Sequence, residues 1–212
     1  MEPKIKLKAA LQGWRAPGHG KALLAMVGCL MAAKAMAGTI TVVSNSVSGS
    51  PVPVYNLSAE GDLDWAKWGT VLATDYDHKY TGTTPLIPNV TVLGDAPAVK
   101  YFSGAAGSFT WVDGAVDWTR TAVATGIYTS TNQVGAGFQL TVPASTTPTV
   151  LNLYVSQYKA IGKVDVQLSD GTPSISVTNP SGNAAWRYTI NFAASAESST
   201  LTVSHVIASA SA

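Results

Sequence analysis

The sequence is poor in charge and in cysteine. Charged residues make up 12% of the 212 positions, and Cys29 is the only cysteine. A lone cysteine excludes an intrachain disulfide framework and a multi-cysteine metal cluster. The apolar runs fall short of the roughly 20 residues that a transmembrane helix needs, so we expect no membrane span. Since 46% of the residues are hydrophobic, the low charge indicates a folded chain, because disordered chains are charge-rich.

Residues 1–37 differ in composition from the rest of the chain. An apolar run, Ala22–Ala33, is followed by an A-x-A cleavage pattern at Ala35–Ala37. This arrangement is typical of a secretory signal peptide, so we expect export, with a mature chain that begins at Gly38. Lipidation of Cys29 is the less favoured alternative, because this residue lies inside the apolar run. The positive residues that precede the run are Lys4, Lys6, Lys8, Arg15 and Lys21.

Removal of this leader would change the sign of the net charge. The whole chain carries +1, but residues 38–212 hold seven Lys or Arg against eleven Asp or Glu, a net charge of −4. A mildly acidic protein repels phosphate backbones, so the composition argues against a nucleic-acid partner. We expect a periplasmic or extracellular protein, and its oligomeric state stays open.

From Gly38 onward, short runs rich in β-branched residues alternate with turn sequences. Phe138, Leu140 and Val142 alternate with polar neighbours, and this period of two places one face of a strand on a core. The pattern predicts an all-β chain, a single antiparallel two-sheet β-sandwich over residues 38–212 with a jelly-roll topology. The predicted strands cover residues 39–43, 87–93, 99–102, 109–111, 122–128, 137–142, 150–156, 164–168, 175–178, 188–192 and 201–206.

Two neighbouring segments, Asn56–Gly69 and Asp75–Lys79, break this pattern. They hold Trp65, Trp68 and His78, although aromatic residues make up only 8% of the chain. They also hold five acidic residues: Glu60, Asp62, Asp64, Asp75 and Asp77. Because charge and aromatic rings are scarce elsewhere, we expect this concentration to mark the most specialised part of the molecule.

These segments resemble a recurrent block in secreted bacterial β-sandwich proteins. The block reads N-L-x-x-E-G-x-x-D-W-x-x-W-G at residues 56–69, then D-H-K at residues 77–79, then F-T-W-x-D-G at residues 109–114. The resemblance covers most of residues 38–209 and implies a fold similar to galactose-binding-like jelly rolls. It implies no defined activity, although such domains often accompany carbohydrate-active modules.

Carbohydrate binding is the leading hypothesis from the residue types. Sugar rings stack on aromatic side chains, and their hydroxyl groups bond to Asp, Asn and Arg side chains. The expected ligand-binding residues are Trp118, Arg120, Asp117, Asp75 and His78. In the alternative, the protein is a structural or interaction component of the envelope or extracellular matrix, with no small-molecule ligand. The residues expected to serve the fold itself are Glu60, Asp64, Trp65, Trp68, Lys79 and Trp111.

The acidic cluster offers two further interpretations. Its carboxylates could hold a structural calcium ion, with Asp62, Asp64, Asp75 and Asp77 as candidate ligands. Alternatively, the acids could form internal pairs with Lys67, Lys79 and Arg120. The sequence contains no D-x-D-x-D-G calcium loop, and we favour the internal pairs.

Catalysis is not expected. Glu60 with Asp64 or Asp77 would supply two carboxylates for glycoside hydrolysis, and His78 would supply a base. However, the chain contains neither a G-x-S-x-G nor an H-E-x-x-H signature. We therefore expect a binding protein and not an enzyme.

Overall fold

The computed structural model describes residues 37–94, 99–131, 133–180 and 182–210. The predicted signal peptide lies outside these residues except for Ala37, and so does the lipidation candidate Cys29.

The described chain is mostly β-strand in antiparallel sheets, which confirms the predicted all-β class. The helix α1 spans only Leu57–Glu60, and nowhere in the described chain is a helix long and apolar enough to cross a membrane. The strands are β1 (Thr39–Ser46), β2 (Val54–Asn56), β3 (Ala66–Trp68), β4 (Tyr76–His78), β5 (Thr91–Leu93), β6 (Val99–Ser103), β7 (Ser108–Trp111), β8 (Arg120–Val123), β9 (Thr125–Thr129), β10 (Gly137–Ala144), β11 (Thr149–Leu168), β12 (Ile175–Thr178), β13 (Gly182–Ala193) and β14 (Ser199–Ala210).

The largest sheet, called the main sheet here, has seven strands. Six of them run in the order β1-β13-β11-β14-β10-β5, and β12 pairs with β11 beside this path. All of these pairs are antiparallel. The predicted strands at 137–142, 188–192 and 201–206 become β10, β13 and β14, each longer than the sequence pattern indicated.

Strand β11 corrects one part of the prediction. The sequence predicts separate strands at 150–156 and 164–168, but the structure forms a single strand of 20 residues. Its register shifts between Gln157 and Ala160, where Lys159 adopts a φ of 49°. Such a bulge bends a strand without ending it. The part before the bulge pairs with β13, and the part after it pairs with β14 and β12.

The main core combines side chains from both parts of β11. Val164 and Val166 are fully buried, whereas Lys163 and Asp165 beside them are partly exposed, as a period of two requires. The same cluster contains Leu151 from the first part of β11. Burying each large apolar side chain stabilises the fold by about 1.5–3 kcal/mol. The other buried members are Leu140, Val142, Ala144, Leu168, Trp186, Tyr188, Ile190, Phe192, Ala194, Leu201 and Val203.

Residues 47–136 between β1 and β10, called the 47–136 segment here, carry the small sheets. They are β2-β7-β8, β3-β4 and β6-β9, with β2 and β7 parallel to each other. A second apolar cluster of Leu57, Trp65 and Trp111 supports them. The sequence pattern did not indicate β2, β3 or β4, because three residues are too few to show a period. The segment thus brings the motif at residues 56–69 together with the motif at residues 109–114, although the two are distant in the sequence.

Candidate functional site

Asp113 anchors the loop of residues 112–119, which joins β7 to β8. Its Oδ1 accepts hydrogen bonds from Ser58 Oγ and, at 2.9 Å, from Trp65 Nε1. Its Oδ2 lies 3.4 Å from Lys79 Nζ. Burial raises the pKa of Asp113, but the bonds from Ser58 and Trp65 and the charge of Lys79 outweigh it and hold the pKa below its ordinary value. The carboxylate therefore stays ionised at neutral pH and connects three parts of the chain.

The partners of Asp113 make further bonds around the same loop. Lys79 Nζ donates to the carbonyl oxygen of Gly61 at 2.8 Å and to that of Asp62 at 3.1 Å. Ser58 Oγ accepts a hydrogen bond of 3.0 Å from the N–H of Val112. The start of the loop is thus bonded to Ser58 within α1, and Lys79 connects it to the residues that follow α1.

Asp77 holds the far part of the loop. Its side chain is fully buried and accepts hydrogen bonds from the N–H groups of His78 at 2.9 Å, Val116 at 2.9 Å and Asp117 at 3.1 Å. The indole of Trp111 donates to the carbonyl oxygen of Asp117 at 2.8 Å. A buried carboxylate is costly unless it accepts such bonds, so this part of the loop has one favoured conformation.

Gly114 is required at the turn of this loop. A Cβ atom there would lie 2.2 Å from the carbonyl oxygen of Asp117 and 2.7 Å from the indole nitrogen of Trp111. Neither neighbour is the end of a flexible side chain on the surface, so a larger residue would displace the loop. This close approach accounts for the glycine that ends the F-T-W-x-D-G motif.

The supported loop presents an exposed aromatic pair. The side chain of Trp118 is 62% exposed and that of Tyr80 is 60% exposed, and their ring centroids lie 6.1 Å apart. The backbone holds both: the N–H of Tyr80 donates to the carbonyl oxygen of Asp113 at 2.7 Å, and the N–H of Gly114 donates to that of Trp118 at 3.2 Å. The two ring planes are inclined to each other by 59°, and this exposed pair is called the platform here.

A polar pocket of about 360 Å³ adjoins the loop. Asp117 lines it and precedes Trp118 in the chain, whereas neither ring of the aromatic pair lines the pocket. Arg120 donates to Asp117 Oδ2 from Nε at 2.9 Å and from Nη2 at 2.8 Å. The remaining lining residues are Thr70, Val71, Asp75, Tyr76, Asp77 and Val116.

Asp75 also lines the pocket and bonds to residues 70–72. Its Oδ2 accepts hydrogen bonds from the N–H of Leu72 at 2.7 Å, the N–H of Val71 at 2.8 Å and Thr70 Oγ1 at 2.9 Å. These bonds, the one from Leu72 foremost, hold the pKa of Asp75 below its ordinary value despite some desolvation, and Arg120 adds to this. Asp75 is therefore ionised at neutral pH.

Tyr76 also lines the pocket, and its phenol is neutral. Its hydroxyl donates to the carbonyl oxygen of Ile87. Burial raises its pKa to about 12, and the charges of Asp64 and Asp77 act in the same direction.

The structure places three of the five expected ligand residues around one pocket, and Trp118 lies outside its lining. Asp75, Asp117 and Arg120 line the pocket, and Trp118 follows Asp117. His78 does not line it, because its Nδ1 lies 2.9 Å from the carbonyl oxygen of Lys79 and its ring packs against Tyr76.

Two residues expected to serve the fold lie at the join between the 47–136 segment and the main sheet. Glu60 accepts a hydrogen bond of 2.6 Å from the hydroxyl of Tyr154 and lies 3.3 Å from Arg187 Nη2. Trp68 is half-buried, packs against the main core and donates from its indole to Asn89 at 2.9 Å.

The four candidate calcium ligands are not gathered. Across residues 37–94, 99–131, 133–180 and 182–210, no three His, Cys, Asp or Glu side chains come close enough to share a metal ion. Asp64, for example, accepts from the N–H of Trp65 and of Ile87, both at 2.8 Å. The oxygens of Asp62, Asp75 and Asp77 likewise accept backbone N–H groups of nearby loops.

The expected ion pairs formed with different acids. Lys79 pairs with Asp113 and Arg120 with Asp117, and Glu60 pairs with Arg187 from the main sheet. The D-G turn signal at Asp113 was visible in the sequence, but its role as the anchor of the loop was not.

Sequence reasoning missed Tyr80 as the second ring of the platform. It directly follows the D-H-K motif, and this position was the only available signal. No protein-family model, curated protein or solved structure matches the chain, so a functional assignment depends on the geometry of the loop and its pocket.

Proposed function

We propose that this protein is an exported, non-catalytic carbohydrate-binding module. The ligand site is the Trp118–Tyr80 pair together with the polar pocket beside it. The observation that carries the proposal is the pairing of two rings, each at least 60% exposed, with a pocket lined by Asp75, Asp117 and Arg120.

The geometry supports this function because a sugar needs both kinds of surface. One face of a pyranose ring is lined with C–H groups and packs on aromatic rings. Tyr and Trp suit this contact because each has a large apolar ring and a polar group at its edge. The hydroxyl groups at its edge need fixed donors and acceptors, and a few such groups give a site its specificity. Arg120 supplies donors, and the carboxylates of Asp75 and Asp117 supply acceptors.

The pocket carries more negative than positive charge. Three of its lining residues are carboxylates, Asp75, Asp77 and Asp117, and one is a guanidinium, Arg120. Since like charges repel across a binding site, the site favours neutral or amino sugars over uronic and sulfated sugars.

The experiment is a glycan array with the purified protein, with calcium and with EDTA, followed by titration of the best glycan. We expect binding to neutral or amino glycans. Trp118→Ala and Tyr80→Ala should each weaken it at least tenfold, because each variant removes one ring of the platform.

The matched control is Tyr158→Ala, which removes another exposed ring, on β11. This variant should bind as the unchanged protein does. No response to any glycan, or equal losses from Tyr158→Ala and Trp118→Ala, would contradict the proposal and favour the structural alternative.

We further propose that the two groups of strands that share β11 are the layers of a β-sandwich of jelly-roll type. Support comes from the common core, in which Leu151 from the first part of β11 joins Val164 and Val166 from the second. The resemblance of the motif regions to galactose-binding-like domains points to the same arrangement.

A further inference from the structure

The molecule contains a second, much larger cavity. It has a volume of about 1680 Å³ and lies between the 47–136 segment and the strands β10, β11, β13 and β14. Its walls are mainly apolar and include Phe109, Phe138, Leu140, Leu153 and Trp186. None of its lining residues lines the polar pocket, so it is a separate site.

One cation, Lys67, is buried in the wall of this cavity. Its residue is 6% exposed, and its Nζ donates to the carbonyl oxygens of Trp68 and Thr125, both at 2.8 Å. The Nζ also lies 5.6 Å from the centre of the Phe109 ring. Lys67 itself lines the cavity, as do Trp68, Thr125 and Phe109, so the ammonium group lies among residues of the cavity wall.

No carboxylate pairs with Lys67 among the described residues. Other bases do form ion pairs, among them Lys79, Arg120, Lys163 and Arg187. A buried charge is normally paired, so this one stands out.

Three acids that lie close to Lys67 in the sequence or in the strand register make other contacts. Asp77 lies opposite Lys67 in the β3–β4 register, but its oxygens accept backbone N–H groups of the loop and of His78. Asp64 accepts two backbone N–H groups, and Glu60 bonds to Tyr154 and Arg187. Among the described residues, Lys67 Nζ thus contacts two carbonyl oxygens and the Phe109 ring and forms no ion pair. Three acids, Glu60, Asp62 and Asp64, also line the cavity.

We propose that this cavity binds an amphiphile with a long apolar chain and a carboxylate headgroup, and that the headgroup pairs with Lys67. An ammonium group has three donors, and the two carbonyl bonds leave one for a ligand. A carboxylate there would form a charge-assisted hydrogen bond. The apolar chain would displace water from the apolar walls, which is favourable in proportion to the area covered.

The protonation of Lys67 is compatible with this role. Burial lowers its pKa to about 8, which still leaves the ammonium form dominant at neutral pH. The cation is therefore available to an anionic headgroup under ordinary conditions.

The experiment uses cis-parinaric acid, a fluorescent 18-carbon carboxylic acid, and its methyl ester, which has the same chain without the charge. The unchanged protein should bind the acid at least tenfold more tightly than the ester. Lys67→Met should weaken binding of the acid at least tenfold and change binding of the ester less than threefold.

The matched control is Lys100→Met, which removes an exposed lysine outside the cavity lining; it should leave binding of both probes unchanged. The comparison of acid with ester in the unchanged protein needs no variant, so it tests the proposal even if Lys67→Met fails to fold. Equal affinity for the two probes, or no binding of either, would overturn the proposal. Binding of the acid should persist in Trp118→Ala, whatever the glycan array shows.

Discussion

The main sheet and the 47–136 segment are each stabilised by a different kind of interaction. Strands β13 and β14 have 12 residues each and bury apolar side chains such as Ile190 and Leu201 completely. The described strands of the 47–136 segment have three to five residues, and buried or half-buried carboxylates, chiefly Asp77 and Asp113, connect its loops. Burial spreads stability over many side chains, whereas each carboxylate serves several partners at once. We therefore expect the loss of a buried apolar side chain to act mainly on the main sheet, and the loss of a carboxylate to act mainly on the 47–136 segment.

The largest effect is expected in the main core. Ile190 is fully buried and faces Val42 and Leu151 in the register of its neighbours. Ile190→Ala should lower the free energy of unfolding by about 4 kcal/mol, because it removes apolar burial and leaves a cavity. Denaturation in urea measures this loss. Val150→Ala, at an exposed position of β11, should cost less than about 0.5 kcal/mol, and equal losses in the two variants would contradict the comparison.

Removal of a buried or half-buried carboxylate should act mainly on the 47–136 segment. Asp113→Ala leaves Ser58 and Trp65 without their acceptor and Lys79 without its ion pair, so it should cost about 2–3 kcal/mol. Hydrogen exchange should rise at the N–H of Val112 and neighbouring loop residues, and exchange in β13 should change less.

Asp165→Ala is the control for loss of an acid in the main sheet. Asp165 pairs with Lys163 at a partly exposed position, and such pairs contribute about 0–1 kcal/mol. If Asp113→Ala and Asp165→Ala destabilise the protein equally, the loop does not depend on Asp113 in the way proposed.

A smaller loss of stability is expected when the pH is lowered, and its source lies in the main sheet. His205 on β14 has a buried Nε2 without a hydrogen-bond partner in the described chain, and burial lowers its pKa to about 4 from 6.5. Between these values the unfolded chain binds a proton that the folded protein does not, so stability falls as the pH decreases. From pH 7 to pH 4.5 the loss should be about 2 kcal/mol.

Urea denaturation of His205→Phe over the same pH range checks this assignment. The variant keeps an aromatic ring at the position and removes the titrating group, so most of the decrease should disappear. An unchanged pH dependence in the variant would assign the decrease to other groups.

The sequence predicted the main sheet better than the 47–136 segment. The alternation at residues 137–142 and 188–192 indicated β10 and the second half of β13, and the predicted strand at 201–206 lies within β14, because long half-buried strands repeat a pattern that can be counted. The bulge at Lys159 joined two predicted strands into β11, and no turn residue or proline marks that position in the sequence. Register shifts depend on pairing with β13 and β14, which is not local.

The candidate site was predictable in composition and not in geometry. Asp117, Trp118 and Arg120 are close in the sequence, and their types favoured a ligand site. The position of Asp75 beside them depends on the pairing of β3 with β4, each of three residues. Lys67 was expected to pair internally with an acid, and it is buried, but its Nζ bonds to the carbonyl oxygens of Trp68 and Thr125 instead.

The shared strand β11 also determines how the protein should respond to tension. Its first part is hydrogen-bonded along β13 and its second part along β14, so a pull on the chain loads both ladders through the same backbone. A force that pulls β13 and β14 apart therefore acts on the two ladders in series. The weaker ladder should rupture first and leave β11 paired with the other strand.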